Sequence, residues 1–253
     1  MKRELYDLTD EEFAFFVNNI NKQMKNRKIS YVLVGGTAVQ AHVLHRLCSK
    51  TGKNLEQIIS DPNIRVQDFI RATDDVDIAL DSSIVRKKGD TYFAREIMGV
   101  FNGLKGEYFS PSEEHIFEYQ LSRKGIKRPI FQIYVDGETD NEQVVSMNVG
   151  RHEKDLYNLD SKYYNKFVAE GQNILIPYSD SFNLNLRVLK PEHLLASKIS
   201  KFRAKDTMDI HILADCMEER KEKINLSEIK ELLFPNYEDN YFRFLELVKL
   251  EDK

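Results

Sequence analysis

The sequence predicts an α/β fold that gives way near residue 185 to an all-helical tail, and three observations carry that prediction. The β-branched run Tyr31 to Val34 is too short for a helix, is stopped by Gly35 and Gly36, and is followed by a helical pattern from about Thr37 to Cys48. Up to residue 177, short apolar runs alternate with polar turns and amphipathic stretches. Beyond residue 185 the apolar residues recur at helical spacing instead.

Each element has its own signal. Thr9 and Glu12 form a T-x-x-E capping box ahead of Phe13, Phe16, Val17, Ile20 and Met24, so a first helix is predicted, closed by the basic "KNRK". The polar stretch 49–68 carries the turn signals "SKTG" and "SDPN" around "KNLEQII", a short helix within an insertion. "DVDIAL" reads as the second strand and "DTYFAREIMGVFNGL" (90–104) as an amphipathic helix. "HIFEYQL", "IFQIYVD", "VVSMNV" and "NILIP" follow as strand candidates, the second and third separated by the polar "GETDNEQ". The tail is helical through "KPEHLLASKISKFRAKDTMDIHILADCMEE", with a break near Arg203 to Lys205, and again in "LSEIKELLF" and "YFRFLELVKL". The predicted organisation is an α/β core over 1–185, with the insertion at about 49–68, and a helical bundle over 186–253.

Bulk properties narrow the function classes. With 253 residues there is material for one large or two modest domains. With 37 basic and 41 acidic residues the net charge is −4, so whole-chain charge does not call for nucleic acid. No apolar run has membrane-spanning length, and "MKRELYDLTDEE" is too polar for a signal peptide; a cytoplasmic protein with no membrane partner is expected. Cys48 and Cys216 lack C-x-x-C spacing and read as reduced thiols packed like small hydrophobes.

The stretch "RATDDVDIAL" (71–80) is where chemistry first shows. Residues i and i+2 of a strand share a face, so Asp75 and Asp77 project together while Val76 and Ile78 point the other way. Carboxylates that close repel unless a cation lies between them, and oxygen-only ligands suit Mg²⁺ or Mn²⁺ better than zinc. The plainer alternative makes Asp74 and Asp75 a solvated strand entry and pairs Asp77 with a basic neighbour such as Arg71. Upstream, the Gly-Gly pair lets backbone approach an anion closely, and the amides of Gly36, Thr37 and Ala38 at a helix N-terminus are placed for phosphate oxygens, with the Thr37 hydroxyl beside them. There is no Walker loop, and the third glycine of a dinucleotide fingerprint is missing. A tight turn without a ligand is the alternative here.

Taken together, "VLVGGTA", "RATDDVDIAL" and "VLKPEHLLASKISKFRAKDTMDIHIL" resemble the polymerase-β-type nucleotidyltransferase superfamily, in particular its AbiEii-like branch of bacterial toxin and phage-resistance proteins. The resemblance runs from Tyr31 to Leu213 and rests on three short blocks. It implies a nucleotidyltransferase core with a mixed sheet plus a C-terminal helical domain. Gly35, Gly36 and Thr37 become the nucleotide-binding turn, Asp75 and Asp77 the catalytic metal ligands, and Lys198 a basic group at the nucleotide's phosphates. Two departures stand out. Gly36 and Asp75 are 39 positions apart, a longer gap than the pattern usually carries, so residues 49–68 have to loop out, which closure entropy makes inexpensive. The third carboxylate is less plain: Asp136, on the Gln132 and Tyr134 face of its strand, is the candidate third metal ligand, with Glu138 as fallback.

The implied reaction moves a nucleoside monophosphate from an NTP to a hydroxyl at a two-metal Mg²⁺ or Mn²⁺ site. Within the branch the implied acceptor is RNA, such as a tRNA 3′ end, and the implied biology is a toxin restrained by an antitoxin protein. Transfer to a small molecule or a protein side chain, and a non-catalytic nucleotide-binding module of the same fold, remain open alternatives. Arg203, Lys205, Asp206 and Asp209 read as mainly structural, with Lys205 and Asp209 an i,i+4 pair; the alternatives are that Asp206 or Asp209 touches the site and that Arg71 orients the aspartates or a phosphate. His42 and His45 read as packing or surface residues. Tyr157, Tyr163 and Tyr164 read as a loop over the sheet edge, or as one wall of an acceptor groove.

Overall fold

The computed structural model describes residues 7–73, 76–81, 95–96, 99–100, 117–121, 127–136, 141–149, 159–219 and 223–250. Helix α1 (Glu11–Asn26) buries Phe13, Phe16, Val17, Ile20 and Met24 along one stripe. Its N-cap is Asp10, whose carboxylate accepts from the Phe13 amide at 2.8 Å, and not Thr9, whose hydroxyl is turned to Asp7. Strand β1 (Tyr31–Val34) runs straight into α2 (Gly35–Thr51), as the strand, turn and helix pattern requires. From Gly36 to Leu44 every residue of α2 is buried, because the helix is sandwiched between the sheet and the helical tail.

The segment 49–68 is anchored to the core, not looped away from it. It holds α3 (Leu55–Ile59), capped by an Asn54–Gln57 capping box, and a 3₁₀ turn (Val66–Asp68), and it buries Leu55, Ile58 and Val66. Strand β2 (Val76–Leu80) follows. The helix expected over 90–104 is described only at 95–96 and 99–100, where it is helical. Then come β3 (Phe117–Leu121), β4 (Lys127–Asp136) and β5 (Asn141–Val149). Helix α4 (Leu159–Ala169) occupies the tyrosine-rich stretch expected to be a loop; Tyr163 packs on the core and Tyr157 lies outside the described residues.

A hairpin of β6 (Gln172–Pro177) and β7 (Asn183–Val188) completes a seven-stranded mixed sheet in the order β3-β4-β5-β2-β1-β7-β6. Strands β1 and β7 pair in parallel, as do β2 and β5; the other neighbours are antiparallel. Strand β7 was not expected, and the boundary placed near residue 185 falls inside it. The helical tail starts at Pro191, with α5 (Pro191–Lys201), α6 (Ala204–Glu219), α7 (Leu226–Leu233) and α8 (Glu238–Val248). The break expected near Arg203 to Lys205 falls slightly earlier, at Phe202, in left-handed conformation at φ 42° between α5 and α6. One hydrophobic cluster runs from Leu8 to Leu245, so the tail shares the core of the sheet. Cys48 and Cys216 are buried thiols outside any disulfide, as expected. Among the described residues no helix is long and apolar enough to cross a membrane.

Candidate active site

The site begins where β1 ends. The antiparallel register sets Val34 opposite Asp77, so Gly35, one residue on, sits diagonally against the Asp77 side chain. Gly35 has φ +67°, and a Cβ built there would collide with the Asp77 carboxylate, lying 2.9 Å from its Cγ. At Gly36 a Cβ would meet Thr73 Oγ1 at 2.9 Å and Arg71 Nη2 at 3.3 Å. The two glycines are therefore required by side chains of the Arg71 to Asp77 segment pressing on the turn. Val34 gives the start of α2 no side-chain cap, and Gly36 and Thr37 are buried there.

The helical tail supplies the other half. Lys198, on α5, is buried with Nζ 2.6 Å from Asp209 Oδ2 and 3.8 Å from Asp206 Oδ1. Asp206 and Asp209 lie one turn apart on α6 and are both buried. Arg203 closes on Asp206 three times: its backbone N–H at 3.0 Å and Nε at 2.7 Å donate to Oδ2, and Nη2 donates to Oδ1 at 3.0 Å. Burial alone would raise the Asp206 pKa; the Arg203 hydrogen bonds and the Lys198 charge outweigh it and hold the carboxyl below its ordinary range. The hydrogen bond to Asp206 likewise raises the Arg203 pKa against burial, with the charges of Asp206, Asp77 and Asp209 adding to it. Asp77, from the sheet, and Asp206 and Asp209, from the tail, thus act on one guanidinium. Arg71 crosses between the two halves and donates to Asp209 through Nε at 3.3 Å and Nη2 at 3.2 Å.

Of the residues expected from sequence, Gly35 and Asp77 meet directly, Gly36 packs on Thr73 and Arg71, Thr37 is buried in α2, and Lys198 connects to this turn only through Asp209 and Arg71. Asp75 and Glu138 lie outside the described residues. Asp136 does not join the group. Ser146 of β5 is level with Asp77, and Gln132 of β4 is level with Ser146; Asp136 pairs with Asn141, four residues further along β4 and two strands from β2. Strand spacing and rise put its backbone roughly 15 Å from that of Asp77, too far for the two to share an ion. Asp136 is accordingly left out of the ligand set proposed below.

Asp209 is the residue that sequence reasoning undervalued. Its partners are Lys198 and Arg71, and the expected i,i+4 partner Lys205 is exposed. A signal was present: Asp206, Asp209, Ile210 and Leu213 fall at i, i+3, i+4 and i+7, which puts two carboxylates on the buried face of α6. Asp77, Asp206 and Asp209 offer only hard oxygen, a chemistry that suits magnesium or manganese and not zinc, but they do not close into one ligand cluster, and Asp206 and Asp209 are engaged by Arg203, Lys198 and Arg71.

Two other features are set apart from this chemistry. Glu170, His193 and Glu228 carry ligand atoms within 4.8 Å of one another, but Lys190 Nζ already lies 2.8 Å from Glu170 and 2.7 Å from Glu228. The group is an ion-pair latch between the end of α4, α5 and α7. Burial, then the Lys190 charge, pushes the His193 pKa down to about 4, so the ring is neutral and its Nε2 meets Glu228 at 3.0 Å. A cavity of about 830 Å³ opens at the other end of β1, lined by Lys25, Lys28, Tyr31, Asn173 and Arg187 among others. It is away from Gly35 and Asp77, and the site is assigned on the convergence of charged groups, not on cavity size.

The chain matches no protein-family model and no curated protein.

Proposed function

We propose that this protein is a metal-dependent nucleotidyltransferase of polymerase-β type, moving a nucleoside monophosphate from an NTP to a hydroxyl acceptor. One observation carries the reading: the glycine turn at the end of β1 is packed against Asp77 on one side and, through Arg71, against Asp209 on the other. A helix start with no side-chain cap, a carboxylate from the adjacent strand, and a buried lysine with two further carboxylates are the parts that binding a metal–triphosphate calls for.

Magnesium or manganese held by Asp77, with Asp75 and Asp209, would supply Lewis-acid activation of the α-phosphate and charge neutralisation of the pyrophosphate. The chain's own groups divide the remaining work. The α2 N-terminal amides bind phosphate oxygens, and Lys198 serves as a point charge for the triphosphate once Asp209 is shared with the ion. Asp206, kept ionised by Arg203, holds the α5–α6 corner that carries Lys198 and Asp209.

RNA is the first acceptor to test, within a toxin and antitoxin setting; small hydroxylated molecules and protein side chains follow. Lys198 is buried and paired, so it gives no basic floor to favour a polyanion. A second reading, a nucleotide-binding module without transfer, draws on the displaced Asp136 and on the cations already engaged by Asp209. Incubation of the protein with each α-³²P-labelled NTP, Mn²⁺ or Mg²⁺ and total bacterial RNA separates the readings. Label that enters RNA and disappears in Asp77→Asn supports the transferase. Nucleotide binding without label in RNA, protein or small acceptors supports the module.

A further inference from the structure

We propose that Arg71 is a positioning residue of this site, its guanidinium fork setting the Asp209 carboxylate against the glycine turn so that Asp77 and Asp209 face one ligand; the inference rests on the nucleotidyltransferase reading. Arg71 is tied at every end. Nε and Nη2 straddle the two oxygens of Asp209, Nη1 donates to the Ala72 carbonyl at 2.9 Å, and its own carbonyl accepts from Gln40 Nε2 at 2.8 Å. Gln40 is itself buried on α2, where its Oε1 accepts from the Leu8 amide at 3.0 Å. The missing Cβ of Gly36 is what leaves room for Nη2. One side chain therefore spans the approach to β2, the turn into α2, and α6.

The division of labour follows from the chemistry of the two cations on Asp209. Lys198 offers a compact point charge to Oδ2, which neutralises but does not orient. A guanidinium meets a carboxylate in a planar fork, which fixes its rotation as well as its charge. Asp209 is almost wholly buried, so one cation answers its desolvation and the second is left to set direction. A residue that serves only stability would be replaceable by another cation; one that serves direction would not.

The test is Mn²⁺–ATP binding by the full-length chain, read from the free Mn²⁺ resonance, with melting temperatures recorded alongside. The set is wild type, Asp77→Asn, Arg71→Lys and Arg71→Gln. The expected result is that Arg71→Lys and Arg71→Gln melt close to wild type yet bind about 10- to 100-fold more weakly, the loss typical when a group orienting a metal ligand is removed. Wild-type binding in a folded Arg71→Lys, alongside lost binding in Asp77→Asn, overturns the positioning role and leaves the nucleotidyltransferase reading standing. Unfolding of both Arg71 variants makes Arg71 a stability residue and also overturns it. Absence of Mn²⁺–ATP binding by wild type removes both proposals together.

Discussion

Gly35→Ala isolates the contact on which the site is built. Gly35 and Gly52 both have φ +67°, but a Cβ at Gly35 runs into the Asp77 carboxylate, whereas a Cβ at Gly52 meets nothing within 4 Å. Gly52→Ala therefore measures left-handed strain alone, offset by the lower entropy of the unfolded chain, and should cost about 1 kcal/mol. Gly35→Ala carries the same strain plus forced displacement of Asp77, a further 1–3 kcal/mol by the usual cost of overpacking, about 2–4 kcal/mol in all. Urea unfolding with unchanged m values reads both numbers. Adding Asp77→Ala to Gly35→Ala removes the carboxylate and leaves only the Asp77 Cβ, 2.9 Å from the new methyl, so the double-mutant cycle should show a favourable coupling of ~1 kcal/mol. If Gly35→Ala costs no more than Gly52→Ala, or the cycle is additive, Asp77 does not press on the turn and the geometry assigned to the site is wrong.

Three other expectations concern the groups around it. Lys198→Met leaves Asp206 and Asp209 buried with one cation fewer and should destabilise by about 3–5 kcal/mol in chemical denaturation, a loss that Asp209→Asn in the same chain partly recovers. His193 has its pKa depressed from 6.5 to about 4, so between those values the unfolded chain takes up a proton that the folded chain refuses. Stability is full above pH 6.5 and falls as pH drops toward 4, by on the order of 3 kcal/mol; His193→Gln should flatten that window, and an unchanged slope would remove the role given to His193. Asp77→Asn should lower nucleotide transfer at least ~100-fold, beyond what loss of a ligand's supporting partner costs, with little change in melting temperature; label transfer at the wild-type rate would exclude Asp77 as a metal ligand.

Local signals recovered most elements because they are written in neighbouring residues. Tyr31 to Leu44, the short helix in 49–68 and the break before α6 follow from periodicity and turn residues. Strand β7 was missed although Leu184, Leu186 and Val188 alternate with period two, because the intervening Asn183, Asn185 and Arg187 are poor strand formers. The insertion was expected to loop out on composition, yet Leu55, Ile58, Val66 and Ile70 are enough to fasten it to the core. On the first helix, two adjacent caps competed, and the amide of Phe13 chose Asp10.

The sequence by itself determined that a glycine turn and an acidic strand exist, and it brought Lys198 forward through a resemblance. Tertiary structure alone decided that β1 and β2 are antiparallel neighbours in the register that seats Asp77 against Gly35, that Asp136 ends two strands away, and that Asp209 and Arg71 belong with Lys198. The physical reason is range. Helical and strand periods are set by contacts a few residues apart, whereas strand order and register are set by burying one shared core, and the pairings across that core join residues as far apart as Arg71 and Asp209.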